Sequence, residues 1–364
     1  MDGEQEREQA TRAGEAAGGS AAPASATVPV NGALASSPKR PKHGARGWRW
    51  LKRIGLGLLA VWVALTGFSL IYNAATSGRA SAPAGLSYVQ TGDVLTRYRV
   101  WGDPSLRGPA IVLIHGAFES ADTWDPLARV LAQTHHVEAY DVKGFGYTQR
   151  VRPYTVQALA DQLDAFLTAR GLVHPILVAH SSGAGIVARF VLDHPYGAGG
   201  MVFVDGDALY GGVTSWLPRI LLDPWRTTLL RLLVHSDAFI RALYGRACGS
   251  GCPPLDAAGV EQWRRPFEVA GAEQAIWDML AAGIPGLPAD QVARIAALRI
   301  PAAVVFGADD HQFSKDSPAQ TAQRIGAPAP TIIPGAGHLS FIGHPHEVAA
   351  VIEQLYGRAV SPSV

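Results

Sequence analysis

The sequence predicts an α/β fold: a mostly parallel central sheet with helices on both faces, a helical insertion, and one apolar helix in front. Three observations predict it. From Thr96 onward, short β-branched apolar runs alternate with longer helical patterns, the rhythm of parallel strands joined through helical crossovers. Between about 207 and 298 that alternation stops and only helical patterns remain. Near the N-terminus, residues 54–72 form an uncharged, mostly apolar stretch.

The chain has 364 residues, nearly half of them hydrophobic, and a formal net charge of +1. That length supports a sizeable core, and no basic stripe in the folded part could neutralise a row of phosphates, which excludes nucleic acid as a partner. Residues 1–47 are rich in Ala, Gly, Ser, Pro and Glu and read as a disordered cytoplasmic tail. Lys39, Arg40, Lys42, Arg46, Arg49, Lys52 and Arg53 then lead into the apolar stretch. A hydrocarbon core of roughly 30 Å needs about 20 apolar helical residues, so 48–78 read as a basic flank and transmembrane anchor. Trp48 and Trp50 suit the interface, and the positive-inside tendency places the main domain outside the cytoplasm. The alternative is a secretory signal cleaved near Ala80-Ser81-Ala82, which exports the same domain. In either case Cys248 and Cys252, the only cysteines, can close one small disulfide.

The strands are expected at 110–114, 137–140, 176–179, 200–204, 302–306 and 331–333, mostly continuous apolar runs suited to buried parallel pairing. They divide the domain into core segments 79–206 and 299–364 around an insertion at 207–298. Helices are expected there at 216–222, 225–234, 238–244 and 261–282. An insertion at that point lies over the carboxyl ends of the strands, where open α/β sheets bind ligands, and so reads as a lid.

The strand 176–179 runs into His180, Ser181, Ser182 and Gly183, a turn of small residues before a helix. A serine hydroxyl is a weak nucleophile unless held exposed beside a base, and such a turn exposes Ser181. The backbone N–H of Ser182, at the helix start, points toward a developing oxyanion, and that of Ala117, after His115 and Gly116, supplies the second donor. His115 and His180 read as structural residues. After the insertion, Asp310 follows a strand, with Asp205 as the alternative acid, and His338 sits on a Gly-rich loop after the next strand. Ser181, Asp310 and His338 stand in the order Ser, Asp, His.

From about 98 to 355 the chain thus resembles the α/β-hydrolase superfamily of lidded serine hydrolases. Ala179 replaces the first glycine of that family's Gly-x-Ser-x-Gly turn, and residues 140–147 are similar to its Asp-x-x-Gly-x-Gly turn, which implies a structural role for Asp141. The resemblance implies Ser181 as nucleophile, His338 as base and Asp310 as its orienting acid, with no cofactor and no metal. The expected substrate is a small ester or related acyl compound, apolar if the lid's Trp216, Leu221 and Trp225 line its pocket. A C–C hydrolase, a haloperoxidase-like enzyme or an acyltransferase would use the same residues, and the competing class is a catalytically silent binding protein of the same fold, which an intact triad disfavours.

Overall fold

The computed structural model describes residues 44–106, 108–211 and 222–360. The expected helix at 216–222, with Trp216 and Leu221, lies almost wholly outside them, as does most of the N-terminal tail. Residues up to Leu58 form one unit and Leu59–Val364 the other. Helix α1, Gly44–Ala75, is long and apolar enough over 47–75 to cross a membrane, and most of its large apolar side chains there are exposed among the described residues.

The sheet has eight strands in the order β1-β2-β4-β3-β5-β6-β7-β8. They are β1 Ser87–Thr91, β2 Val94–Trp101, β3 Ile111–Ile114, β4 Val137–Tyr140, β5 Ile176–His180, β6 Gly200–Val204, β7 Ala302–Gly307 and β8 Thr331–Ile333. From β4 through β8 every pairing is parallel, whereas β1, β2 and β4 pair antiparallel at one edge. That hairpin was not expected from the sequence. On β2 the core-facing Arg97 is buried and paired with Asp141 and Asp122, so a charge occupies a position where alternation requires an apolar residue.

Side chains alternate across the sheet as a two-residue period requires. Ile114, Leu177, Ala179, Phe203 and Val304 face one core with helices α3 (Val156–Arg170) and α4 (Gly183–Asp193). Ile111, Leu113, Val178, Val204 and Val305 face the other, with α2 (Asp125–Leu131) and the C-terminal helix.

Between β6 and β7 lie α5 Trp225–Val234, α6 Asp237–Cys248, α7 Ala257–Glu268, α8 Ala272–Ala282 and α9 Ala289–Ala293. The single helix expected over 261–282 is two. Gly271 takes a left-handed φ of 80°, which starts α8 in a new direction and which a β-branched residue would resist. Residues 289–298 join the sheet's own core through Val292 and Ile295. After β7 come α10 Ser317–Ile325, α11 Ser340–Gly343 and α12 Pro345–Val360.

Candidate active site

Strand β5 delivers Ser181 to the carboxyl edge of the sheet at a φ of 50°, a left-handed conformation that costs a side-chain-bearing residue energy and lifts its hydroxyl clear of the turn. The turn closes only because its neighbours are small. A Cβ on Gly183 would stand 2.6 Å from the carbonyl oxygen of Ile114, and one on Gly206 would stand 2.5 Å from that of Ser181.

His338 reaches Ser181 from the loop after β8. Its Nε2 lies 3.1 Å from Ser181 Oγ and its Nδ1 2.8 Å from Asp310 Oδ2. With Nδ1 protonated toward Asp310, Nε2 is an acceptor for the serine hydroxyl. Asp310 is itself fixed, since its other oxygen accepts the backbone N–H of Gln312 at 2.8 Å. Asp205, the alternative acid, lies elsewhere. It is fully buried and accepts from the backbone N–H of Gly307, at 2.7 Å, and from the N–H and hydroxyl of Ser340. Burial pushes its pKa up to about 7, against those hydrogen bonds.

Ala117 and Ser182 line, beside Ser181, a cavity of about 850 Å³. As N-cap of α4, Ser182 has an amide among those that a helix start leaves without an intrahelical partner. The rest of the cavity is mostly apolar, with Leu230 and Leu233 from α5, Phe239 and Leu243 from α6, and Ile276 and Leu280 from α8. It is thus roofed by the insertion and floored by the sheet edge that carries Ser181 and His338.

A model of the alpha/beta hydrolase family matches residues 111–351. The chain belongs to that family. Among relatives in sequence, a candidate carbamate hydrolase, RutD, of Escherichia coli O157:H7 is 33% identical over 105 residues, which cover 28% of this chain and 40% of that protein. An uncharacterised protein of Mycobacterium tuberculosis, Rv2715, is 33% identical over 109 residues, 30% of this chain and 31% of that one. The chain therefore matches less than half the length of either. Among solved structures, one described as a lipase of Acinetobacter baumannii superposes with a TM-score of 0.62 at 20% identity, over 81% of this chain and 96% of that one. A bacterial membrane phospholipase A gives 0.60 at 20%, over 86% and 97%, and a thermophilic esterase of Thermogutta terrifontis 0.60 at 19%, over 76% and 100%. At such identities these likenesses establish the fold.

Three further placements in this family member bear on the sequence reading. Trp225, expected in the pocket, is not among its lining residues. On α5 it shares a face with Thr228 and Arg231, three residues apart, and its ring meets that of Trp62 at 6.0 Å, while Leu230, Leu233 and Val234 turn to the cavity. His115 is buried, with Nδ1 2.7 Å from the Gly116 carbonyl and Nε2 accepting the Val142 N–H at 2.8 Å, and burial lowers its pKa, so it is neutral scaffolding.

The third placement went unnoticed in the sequence. Glu119 Oε1 lies 2.7 Å from His180 Nδ1, both nearly inaccessible, and His180 Nε2 lies 2.7 Å from the backbone carbonyl of His338. Burial opposes both charges, yet their attraction prevails, holding Glu119 below the usual carboxylate range and His180 above the usual imidazole value. The pair ties the loop of Ala117 to the backbone of His338. A lone acid in a loop has no periodicity to betray it.

Proposed function

We propose that this protein is a membrane-anchored serine hydrolase that cleaves an ester or related acyl bond through Ser181, His338 and Asp310 by way of an acyl-enzyme. The observation that carries the reading is the continuous contact from Asp310 through both nitrogens of His338 to Ser181 Oγ, at the floor of an apolar cavity. As Ser181 Oγ attacks the carbonyl carbon, Nε2 of His338 takes its proton and Asp310 steadies the imidazolium. The Ala117 and Ser182 amides stabilise the oxyanion. His338 then protonates the leaving alcohol, and water, deprotonated by the same imidazole, releases the acid.

The membrane part of the proposal is supported by α1 and by α5, whose residues meet three surroundings. Trp225 meets Trp62 within α1, and Thr228 and Arg231 hold its end. Thr228 Oγ1 donates to Asn73 Oδ1 at 3.0 Å, and Arg231 Nη1 donates to the Asn73 carbonyl at 2.7 Å. Leu230, Leu233 and Val234 line the cavity, while Leu222, just before the helix, Leu229 and Leu232 are exposed. An apolar edge beside an exposed apolar helix fits contact with lipid. The Cys248–Cys252 disulfide supports an oxidising compartment for this domain.

The full-length protein in phospholipid vesicles, assayed with p-nitrophenyl esters of graded chain length, is expected to give kcat/KM rising at least about tenfold from acetate to decanoate. That corresponds to only a small part of the roughly 0.8 kcal/mol available per buried methylene. A flat or falling profile would remove the apolar-acyl part of the proposal, and no turnover of any ester would remove the hydrolase part.

A further inference from the structure

The loop that carries His338 is held from its far side by a short ribbon contributed by the insertion. Residues 247–250 run alongside 335–339. Ser250 Oγ donates to the Gly335 carbonyl at 3.2 Å, and Gly249 bridges Ala336 in antiparallel fashion. The Gly337 N–H donates to the Cys248 carbonyl and the Leu339 N–H to the Ala247 carbonyl, each at 3.2 Å. His338 thus lies between two residues whose amides are bound to the ribbon, while its own carbonyl faces His180 Nε2 at 2.7 Å. The approach is closer than side chains permit. A Cβ on Gly337 would stand 2.5 Å from the Ala247 carbonyl oxygen, and one on Gly249 would stand 2.9 Å from the Gly337 nitrogen.

The ribbon begins on Ala247 and Cys248, the last residues of α6, and beyond them nothing in its sequence holds it. Gly249, Ser250 and Gly251 include two of the residues with the most backbone freedom to lose. What closes the segment is the disulfide from Cys248, fully buried at the end of α6, to Cys252. Cys252 in turn packs against α11, which follows His338 directly: a Cβ on Gly343 would stand 3.0 Å from its Sγ.

We infer that the Cys248–Cys252 disulfide is a positioning element for the base, clasping the ribbon 247–250 so that it fixes the backbone on both sides of His338. The inference rests on the hydrolase reading for its kinetic consequence, whereas the clasp itself has a readout that needs no activity. With the disulfide opened, the last turn of α6 and the glycines after it lose their tie to Cys252, the hydrogen bonds from Gly337 and Leu339 to that turn weaken, and His338 wanders from Ser181. Binding of the acyl chain, which involves α5, α6 and α8, changes little.

Two measurements on the full-length protein test this. Hydrogen exchange by mass spectrometry would follow peptides covering 335–340 before and after treatment with dithiothreitol, which delivers two electrons and two protons to give two thiols and leaves as its own cyclic disulfide. The expected result is exchange at Gly337 and Leu339 faster by at least about tenfold, the factor that corresponds to losing about 1.4 kcal/mol of protection, with β5 and β6 unchanged. Unchanged exchange at 335–340 overturns the inference whether or not the protein hydrolyses esters. The second measurement is steady-state turnover of the double variant C248A/C252A well below its melting temperature. A kcat lowered about 10- to 100-fold with KM within about twofold is expected, because a displacement near 1 Å at the reacting groups costs that much. A variant that melts earlier but keeps kcat would show the disulfide to be a staple only, and would overturn the positioning role.

Discussion

Replacing Ser181 by alanine is expected to lower kcat for ester hydrolysis by about 10⁵- to 10⁶-fold, the range seen when a serine hydrolase loses its nucleophile. KM should stay within a few-fold, because the acyl chain would still meet Leu230, Leu233, Phe239 and Leu243. The substitution is well suited to isolating chemistry from folding. Alanine tolerates the φ of 50° no worse than serine does, and removing one oxygen at the cavity floor opens no buried void. The melting temperature should therefore hardly move. A fluorophosphonate probe supplies the covalent counterpart, since it reacts with an activated serine: labelling of the parent and none of S181A is expected. A variant that retained even a hundredth of parental turnover would mean that another group attacks the carbonyl.

The reason to expect so large an effect is that, on the proposed reading, exposure, a base and an oxyanion site coincide at one residue. Glycine at 183 and 206 permits the turn, His338 Nε2 stands at 3.1 Å, and Ser182 opens α4. Much of this was legible beforehand because the residues concerned punctuate strands. Ser181 follows β5, Asp310 follows β7 and His338 follows β8, and in a parallel sheet strand ends gather at one edge however far apart they lie in sequence. Buried parallel strands are also the easiest to read, being continuous apolar runs. What stayed hidden had its signal cancelled by a partner elsewhere. Arg97 made β2 look polar until Asp122 and Asp141 neutralised it, and Glu119 gains meaning only from His180. Trp225 misled for a different reason. An amphipathic helix has one obvious apolar face, but α5 is apolar around more than half its circumference, and sequence does not say which of those residues meet the cavity and which meets Trp62.

The choice between two acids yields the second large prediction. D310N is expected to lower kcat about 10⁴-fold, because an amide facing His338 Nδ1 favours the tautomer whose Nε2 carries the proton and cannot accept another from Ser181. D205N should keep kcat within about tenfold, since Asp205 bonds Gly307 and Ser340, not the imidazole. Its mark should appear in stability instead. With a folded pKa near 7 against 3.8 for the free group, the buried carboxyl favours folding in full below about pH 4, where it is protonated in both states. That contribution drains away as pH rises to about 7, and at about 1.4 kcal/mol per unit the total is of the order of 4 kcal/mol. Melting temperatures of the parent should therefore carry a downward component between pH 4 and 7 that D205N lacks, whatever the variant loses in absolute stability from its weaker acceptor. Near-normal turnover by D310N together with a dead but folded D205N would exchange the two roles, and with them the account of how His338 is held.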